Sequence, residues 1–177
     1  MKRYQIAVLF FAIGIFTITS IVVFLASQQN EVKTPEPEKE YSSVMIFFSN
    51  SIQDPQGLYC DKTYPVERAV SMIPSSDKGR LGELAYLALS ELLKGPASYE
   101  KASGYYTSIN DGTIIKSIGI VNGVATVDFN GKLDEGIGGS CKVQAIRSQI
   151  TETLKQFPEI SDVIISVNGE SETILQP

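Results

Sequence analysis

The chain of 177 residues contains no histidine, no tryptophan and only two cysteines. Without histidine it lacks the serine and cysteine dyads of hydrolases, zinc sites built on imidazole, and any histidine-based pH switch. Basic residues are also few, with 15 Lys and Arg against 20 Asp and Glu, and the net charge is −5. Because affinity for nucleic acid comes from neutralising phosphates, we expect no nucleic-acid binding. We also expect no enzymatic activity, no metal site and no cofactor.

One long hydrophobic run, Ile6–Ala26, lies near the N-terminus and contains no charged side chain. As a helix it would be roughly 31 Å long, about the thickness of the hydrocarbon core of a bilayer. Lys2 and Arg3 precede the run, and no basic residue follows it closely. The positive-inside rule therefore places residues 1–5 in the cytoplasm and the rest of the chain outside it. A cleaved signal peptide is the alternative to this single-pass anchor, although its apolar core is usually shorter, about 7–15 residues.

Residues 27–40 are polar and include the step Pro35-Glu36-Pro37, so they predict an extended tether of at most about 40 Å. The remaining residues, 41–177, predict one globular domain. The whole chain has 43% hydrophobic and 20% charged residues, which is typical of a foldable sequence.

Periodicity within this domain predicts a fold of the α+β class. Apolar runs and alternation predict five strands, at Val44–Phe48, Thr63–Ile73, Thr113–Val121, Val124–Phe129 and Asp162–Val167. Apolar residues at three- and four-residue spacing predict two helices, Arg80–Leu93 and Ser140–Phe157. Asn122-Gly123 predicts a hairpin turn, because both turn residues need positive φ. We expect one mixed sheet of about five strands covered by two helices.

Four segments of this domain have a distinctive order and spacing, namely Leu92–Pro96, Val121–Phe129, Ile150–Leu154 and Val163–Gly169. Together they resemble the GerMN domain family of sporulation and spore-germination proteins. The resemblance covers about residues 44–177, and the family also shares the arrangement of anchor and tether. It implies an extracytoplasmic, non-catalytic module with a fold similar to ring-building modules of secretion-type complexes. It further implies a scaffold role in the cell envelope, through contacts with envelope proteins or through self-association. It supplies no catalytic residues.

Cys60 and Cys141 are expected to lie outside the cytoplasm, where disulfides persist. A bridge between them would close a long loop and stabilise the fold by about 4 kcal/mol in the chain-entropy account. Two free thiols are the alternative, because a helix N-terminus close to Cys141 would favour a reactive thiolate. We favour the bridge.

Three tyrosines lie close together in the sequence after Gly95-Pro96, namely Tyr99, Tyr105 and Tyr106. They could form an aromatic platform for cell-wall glycan or for a protein partner. Packing within the loop predicted over Ala97–Asn110 is the alternative, and we favour it.

The domain also contains two acidic pairs and one glycine-rich segment that are candidate binding sites. Asp134-Glu135 and the pair Asp54 and Asp61 lack the ligand spacing of a calcium loop, so we expect solvated carboxylates. Gly136–Ser140 lacks the complete spacing of a phosphate-binding loop. We interpret it as a flexible hinge in which Ser140 caps the following helix.

Overall fold

The computed structural model describes residues 40–72 and 77–176. Six strands and three α-helices lie within these residues, in the order β1 Glu40–Asn50, β2 Tyr64–Met72, α1 Asp77–Leu93, α2 Ser98–Ala102, β3 Tyr105–Tyr106, β4 Ile115–Val121, β5 Val124–Phe129, α3 Ser140–Lys155 and β6 Asp162–Val167. A short 3-10 helix, Gly131–Leu133, lies between β5 and α3. In the described ranges, no helix is both long enough and apolar enough to cross a membrane. The predicted anchor, 6–26, and tether residues 27–39 lie outside those ranges.

The strands form two three-stranded sheets, so the prediction of a single sheet of about five strands was wrong. The first sheet has the order β2-β1-β3 and the second β4-β5-β6. Strands β4 and β5 are antiparallel, whereas β5 and β6 are parallel and α3 connects them. A two-residue strand such as β3 has no periodicity to detect, which is why the sequence predicted only a loop there.

Side chains at the end of α3 and just after it bind the backbone of β1. Gln156 accepts a hydrogen bond from the Met45 amide at 2.7 Å and donates one to the Met45 carbonyl at 2.6 Å. The Phe47 amide donates to the hydroxyl of Thr153 at 3.2 Å. These side chains thus satisfy the backbone of β1 at Met45 and Phe47, and β3 pairs with β1 only farther along, at Ser49 and Asn50.

Strand β1 is longer than the apolar run Val44–Phe48 predicts. It begins at Glu40, the last residue of the predicted tether, and pairs with β2 from Glu40↔Met72 to Phe48↔Tyr64. The added residues are polar because this part of β1 is partly exposed, which hid the strand from a search for hydrophobic runs. The Arg80 guanidinium on α1 donates to both oxygens of Glu40, at 2.7 and 2.8 Å.

Both long helices bury the faces that their spacing predicts. The fully buried apolar positions of α1 are Ala85, Ala88, Leu89 and Leu92, and those of α3 are Ile146, Ile150 and Leu154. They pack against core residues of both sheets, including Ile46, Phe48, Val127 and Phe129. Helix α3 ends at Lys155, two residues before the predicted end at Phe157.

Two predictions about turns had different outcomes. The hairpin at Asn122-Gly123 is confirmed, with φ values of 51° and 81°. The cap by Ser140 was wrong, because Ser140 is already the first helical residue and Gly139, with φ of 91°, lies at the cap position. The hinge at Gly136–Ser140 stays a prediction; the residues just before it are bound by the Asn110 amide, which donates to the Lys132 and Glu135 carbonyls at 2.9 and 2.8 Å.

Candidate interaction surface

The loop between β1 and β2, residues 51–63, is here called the disulfide loop, and its start is fixed by Asn50. The Asn50 side chain is buried, and its carbonyl oxygen accepts hydrogen bonds from the Ile52 and Gln53 amides at 2.8 and 3.0 Å. Its amide group donates to the Ser103 carbonyl at 3.1 Å. One side chain therefore connects the start of the loop to the turn after α2.

Asp54 fixes the middle of the disulfide loop. Its two carboxylate oxygens accept hydrogen bonds from the Leu58 and Tyr59 amides, at 3.3 and 3.1 Å. Gly57 occupies the left-handed region at φ 60°, and its amide donates to the Asp54 carbonyl at 3.1 Å. Asp54 thus acts in the structure as a turn residue. Asp61 was its candidate partner in an acidic site, and the backbone carbonyl of Asp61 accepts a hydrogen bond from Ser148.

The end of the disulfide loop is bonded covalently to α3. Cys60 and Cys141 form a disulfide, with their Cα atoms 5.0 Å apart. About two turns further along the helix, the Ser148 hydroxyl donates to the Asp61 carbonyl. Beyond the bridge, the Lys62 ammonium lies 5.5 Å from the ring centres of both Tyr59 and Tyr64. These contacts leave the loop with little freedom to move away from α3.

A buried glutamine on α3 connects the same helix to both neighbouring strands. Gln149 is fully buried, donates to the Ser49 hydroxyl at 3.0 Å and accepts from the Thr107 hydroxyl at 2.8 Å. Ser49 lies on β1 and pairs with Tyr106 of β3. No sequence pattern predicts this role, because Gln149 adjoins the apolar face of the helix and has no motif around it.

Four large apolar side chains around this loop remain exposed although the backbone beneath them is fixed. The exposed fractions are 65% for Ile52, 66% for Leu58, 61% for Tyr59 and 46% for Tyr106. We call these four residues the disulfide-loop surface. Exposed aromatic and aliphatic side chains on an ordered backbone are typical of protein contact sites, because little conformational entropy is lost on binding.

A cavity of about 320 Å³ lies at the base of the disulfide-loop surface. Tyr59 and Tyr106 both line it, together with the Cys60–Cys141 bridge. Its other lining residues are Asp54, Gly57, Ser108, Lys142 and Ala145. The cavity therefore has three walls, which come from the loop, from β3 with the residues after it, and from the start of α3.

The structure separates the three tyrosines that the sequence places together. Tyr106 lies at the cavity, whereas Tyr105, the neighbouring strand residue, packs against the hydrophobic core. Tyr99 on α2 is 68% exposed, and its hydroxyl accepts a hydrogen bond from Arg68 at 3.3 Å. Tyr59, which the sequence did not single out, lines the cavity instead.

A buried ion pair positions α2 beside β2. Glu100 is almost fully buried and accepts a bidentate pair of hydrogen bonds from Arg68, one of them at 2.7 Å. The hydrogen bonds from Arg68 lower the pKa of the Glu100 carboxyl, and those to Glu100 raise the pKa of Arg68. The Ala97 amide also donates to Glu100, at 2.6 Å. The pair is structural, since it fixes the helix that precedes β3.

A second cavity, of about 560 Å³, lies beside the 3-10 helix and is lined by Lys132, Asp134 and Glu135 among others. Glu135 is paired with Lys132, and Asp134 accepts a hydrogen bond from the Leu175 amide at 3.0 Å. These acidic groups thus have structural partners. Among the described residues, no group of three or more acidic, cysteine or histidine side chains could bind a metal ion.

Comparison with known proteins gave a family and a set of similar structures. A model of the Germane family, described as sporulation and spore germination, matches residues 46–173. The tandem GerMN domains of the sporulation protein GerM from Bacillus subtilis align with a TM-score of 0.48 and 17% identity, over 77% of this chain and 43% of that chain. The first GerMN domain of the same protein aligns with a TM-score of 0.45 and 21% identity, over 73% and 85%. The comparison with curated proteins gave no match.

Proposed function

Because the chain belongs to the Germane family of sporulation and spore germination proteins, we propose that its folded domain is a non-catalytic interaction module of the cell envelope. In this proposal the run Ile6–Ala26 anchors the chain in the membrane, and the domain works outside the cytoplasm. The partner is another envelope protein, which contacts the disulfide-loop surface.

The observation that carries the proposal is the combination of exposure and rigidity at this surface. Ile52 and Leu58 are each about two-thirds exposed, yet the loop that holds them is fixed by Asn50, Asp54 and the disulfide. Single exposed apolar side chains are common, but several on one ordered loop are typical of a contact site. A loop that is already ordered loses less entropy when a partner binds.

The disulfide supports the proposed location. Such bonds persist in oxidising compartments outside the cytoplasm and are rare within it. The positive charges of Lys2 and Arg3 before the hydrophobic run support the same orientation.

Site-specific photo-crosslinking in growing cells tests the proposal. The full chain would carry a photoreactive amino acid at Ile52 or Leu58, and at Glu152 as the control, because Glu152 is an exposed residue of α3 outside the surface. We expect the first two positions to yield one and the same adduct with an envelope protein, which the control lacks. No adduct from either position, or equal adducts from all three, would contradict the proposal. An adduct of twice the chain's own mass would identify self-association instead of a different partner.

A further inference from the structure

The cavity at the base of the disulfide-loop surface has the size and the lining of a site for a small ligand. Its volume of about 320 Å³ lies at the lower end of the range for small-molecule sites, which is about 300–1,000 Å³. Two tyrosines, Tyr59 and Tyr106, line it, and they are 61% and 46% exposed. The cavity is therefore open to a small ligand that has flat apolar faces.

The backbone fixes both rings. Tyr59 adjoins Cys60 of the bridge, and its amide donates to Asp54 at 3.1 Å. Tyr106 pairs with Ser49 of β1, which Gln149 binds in turn. Rings of this kind offer large contact areas at a low cost in conformational entropy.

The polar lining residues indicate the chemistry of the ligand. The Asp54 carboxylate uses two of its acceptor sites on backbone amides and retains others. The Lys142 ammonium donates to Asn110 at 3.0 Å and has two further protons to donate. Ser108 adds a hydroxyl group, which can both donate and accept.

A ligand of either charge would gain no net attraction from this cavity, because one negative and one positive group both line it. An anion would lie near Asp54, and a cation would lie near Lys142. A wholly apolar ligand would remove water from Asp54 and Lys142 without replacing the hydrogen bonds that water makes with them. A ligand rich in hydroxyl groups, with apolar ring faces and no net charge, satisfies all of these constraints.

We propose that this cavity binds a neutral saccharide, whose ring faces pack against Tyr59 and Tyr106 and whose hydroxyl groups bind Asp54, Ser108 and Lys142. The site goes beyond the proposed protein contact: the two share Tyr59 and Tyr106, whereas Ile52 and Leu58 belong to the protein contact alone and do not line the cavity. It needs the disulfide, because the bridge joins the loop wall of the cavity to the wall formed by α3.

Isothermal titration calorimetry on the full chain in lipid nanodiscs tests this proposal. Nanodiscs avoid detergents with sugar headgroups, which would compete for the site. The probes are two neutral oligosaccharides, triacetylchitotriose and cellotriose. We expect saturable binding of at least one of them, and affinity lowered by about tenfold or more in Tyr59→Ala and in Tyr106→Ala. The matched control is Tyr41→Ala, at an exposed tyrosine of β1 outside the cavity, with unchanged affinity.

Two further variants keep the test decisive if the alanine variants fold poorly. Tyr59→Phe and Tyr106→Phe retain the rings and should bind the same oligosaccharide within about threefold of the unchanged chain. The proposal is overturned if neither oligosaccharide binds saturably, or if binding is equal in the unchanged chain and both alanine variants. Protein crosslinks from Ile52 and Leu58 that persist without saccharide binding would overturn this inference alone and leave the proposed function standing.

Discussion

At the residue scale, Asn50 and Gly104 illustrate how closely the disulfide loop is fitted to its neighbours. A Cβ atom at Gly104 would lie 2.7 Å from Cγ1 of Ile52 and 2.9 Å from Oδ1 of Asn50. The same residue has φ of 87°, which side chains rarely adopt. Only glycine therefore permits the close approach that lets Asn50 bind both the loop and the turn after α2.

We predict that Gly104→Ala lowers the free energy of unfolding by about 1–3 kcal/mol, because it combines backbone strain with a clash. Urea unfolding followed by circular dichroism measures the loss. The matched control is Gly119→Ala in β4, where a new Cβ atom would meet nothing within 4 Å and φ is not positive. Equal stability of the two variants would contradict this account of Gly104.

A second prediction at this scale concerns the buried pair of Glu100 and Arg68. Glu100→Gln removes the charge but leaves Arg68 largely buried, so we expect a loss of about 3 kcal/mol or more in the free energy of unfolding. Glu152→Gln, at an exposed carboxylate on α3, should change it by less than about 0.5 kcal/mol. A variant at position 100 as stable as the unchanged chain would show that the pair contributes nothing.

At the element scale, the helices and strands with a clear hydrophobic pattern were predicted from the sequence, and the short elements without such a pattern were not. Strand β6 has the predicted bounds, because an apolar run lies between Pro158 and the turn at Asn168-Gly169. The buried face of α3 was evident from its spacing. Strand β3 and helix α2 have two and five residues, too few for any periodicity. Their positions depend on tertiary contacts, such as those of Glu100 with Arg68.

The candidate site was only partly predictable for the same reason. The cysteine pair follows from residue types and from the predicted topology, whereas the exposure of Tyr106 does not, because packing within the loop was the favoured prediction for it. The roles of Tyr59, Gln149 and Asn50 depend on which elements become neighbours in space. No local motif encodes that information, and the division into two sheets shows that strand partners were the weakest part of the prediction.

The disulfide gives an element-scale prediction. Replacing both cysteines, Cys60→Ser with Cys141→Ser, should lower the free energy of unfolding by about 2–5 kcal/mol, because the unfolded chain gains freedom. In this variant the amides of residues 51–63 should also exchange hydrogen faster than in the unchanged chain, because the bridge no longer fixes the loop, whereas exchange in β5 should change less. Hydrogen exchange with mass spectrometry measures both regions. Unchanged exchange in the loop would contradict the claim that the bridge orders it.

At the scale of the whole molecule, acid should destabilise the fold. Hydrogen bonds from Arg80 lower the pKa of Glu40, those from Arg68 lower the pKa of Glu100, and the Gly169 amide lowers the pKa of Asp128. In the unfolded chain such groups titrate at about 3.9–4.3. Since the folded state binds protons less readily, these groups stabilise it above that range, and the stabilisation is lost as pH falls through their lowered pKa values.

We therefore expect a nearly constant free energy of unfolding from about pH 8 to 5, where no histidine titrates, and a steep fall below about pH 4. Urea midpoints measured across this range test the prediction. A chain more stable at pH 3 than at pH 6 would show that these carboxylates do not stabilise the fold as charged groups.

The proposed function depends on a disulfide that fixes the loop in a domain outside the cytoplasm. The most direct measurement is thiol trapping: cells expressing the full chain are quenched with acid, and the protein is then treated with a maleimide polymer that adds mass at each free thiol. We predict no mass shift without reductant and a shift for both Cys60 and Cys141 after reduction. A chain labelled at both cysteines before reduction would contradict the claim.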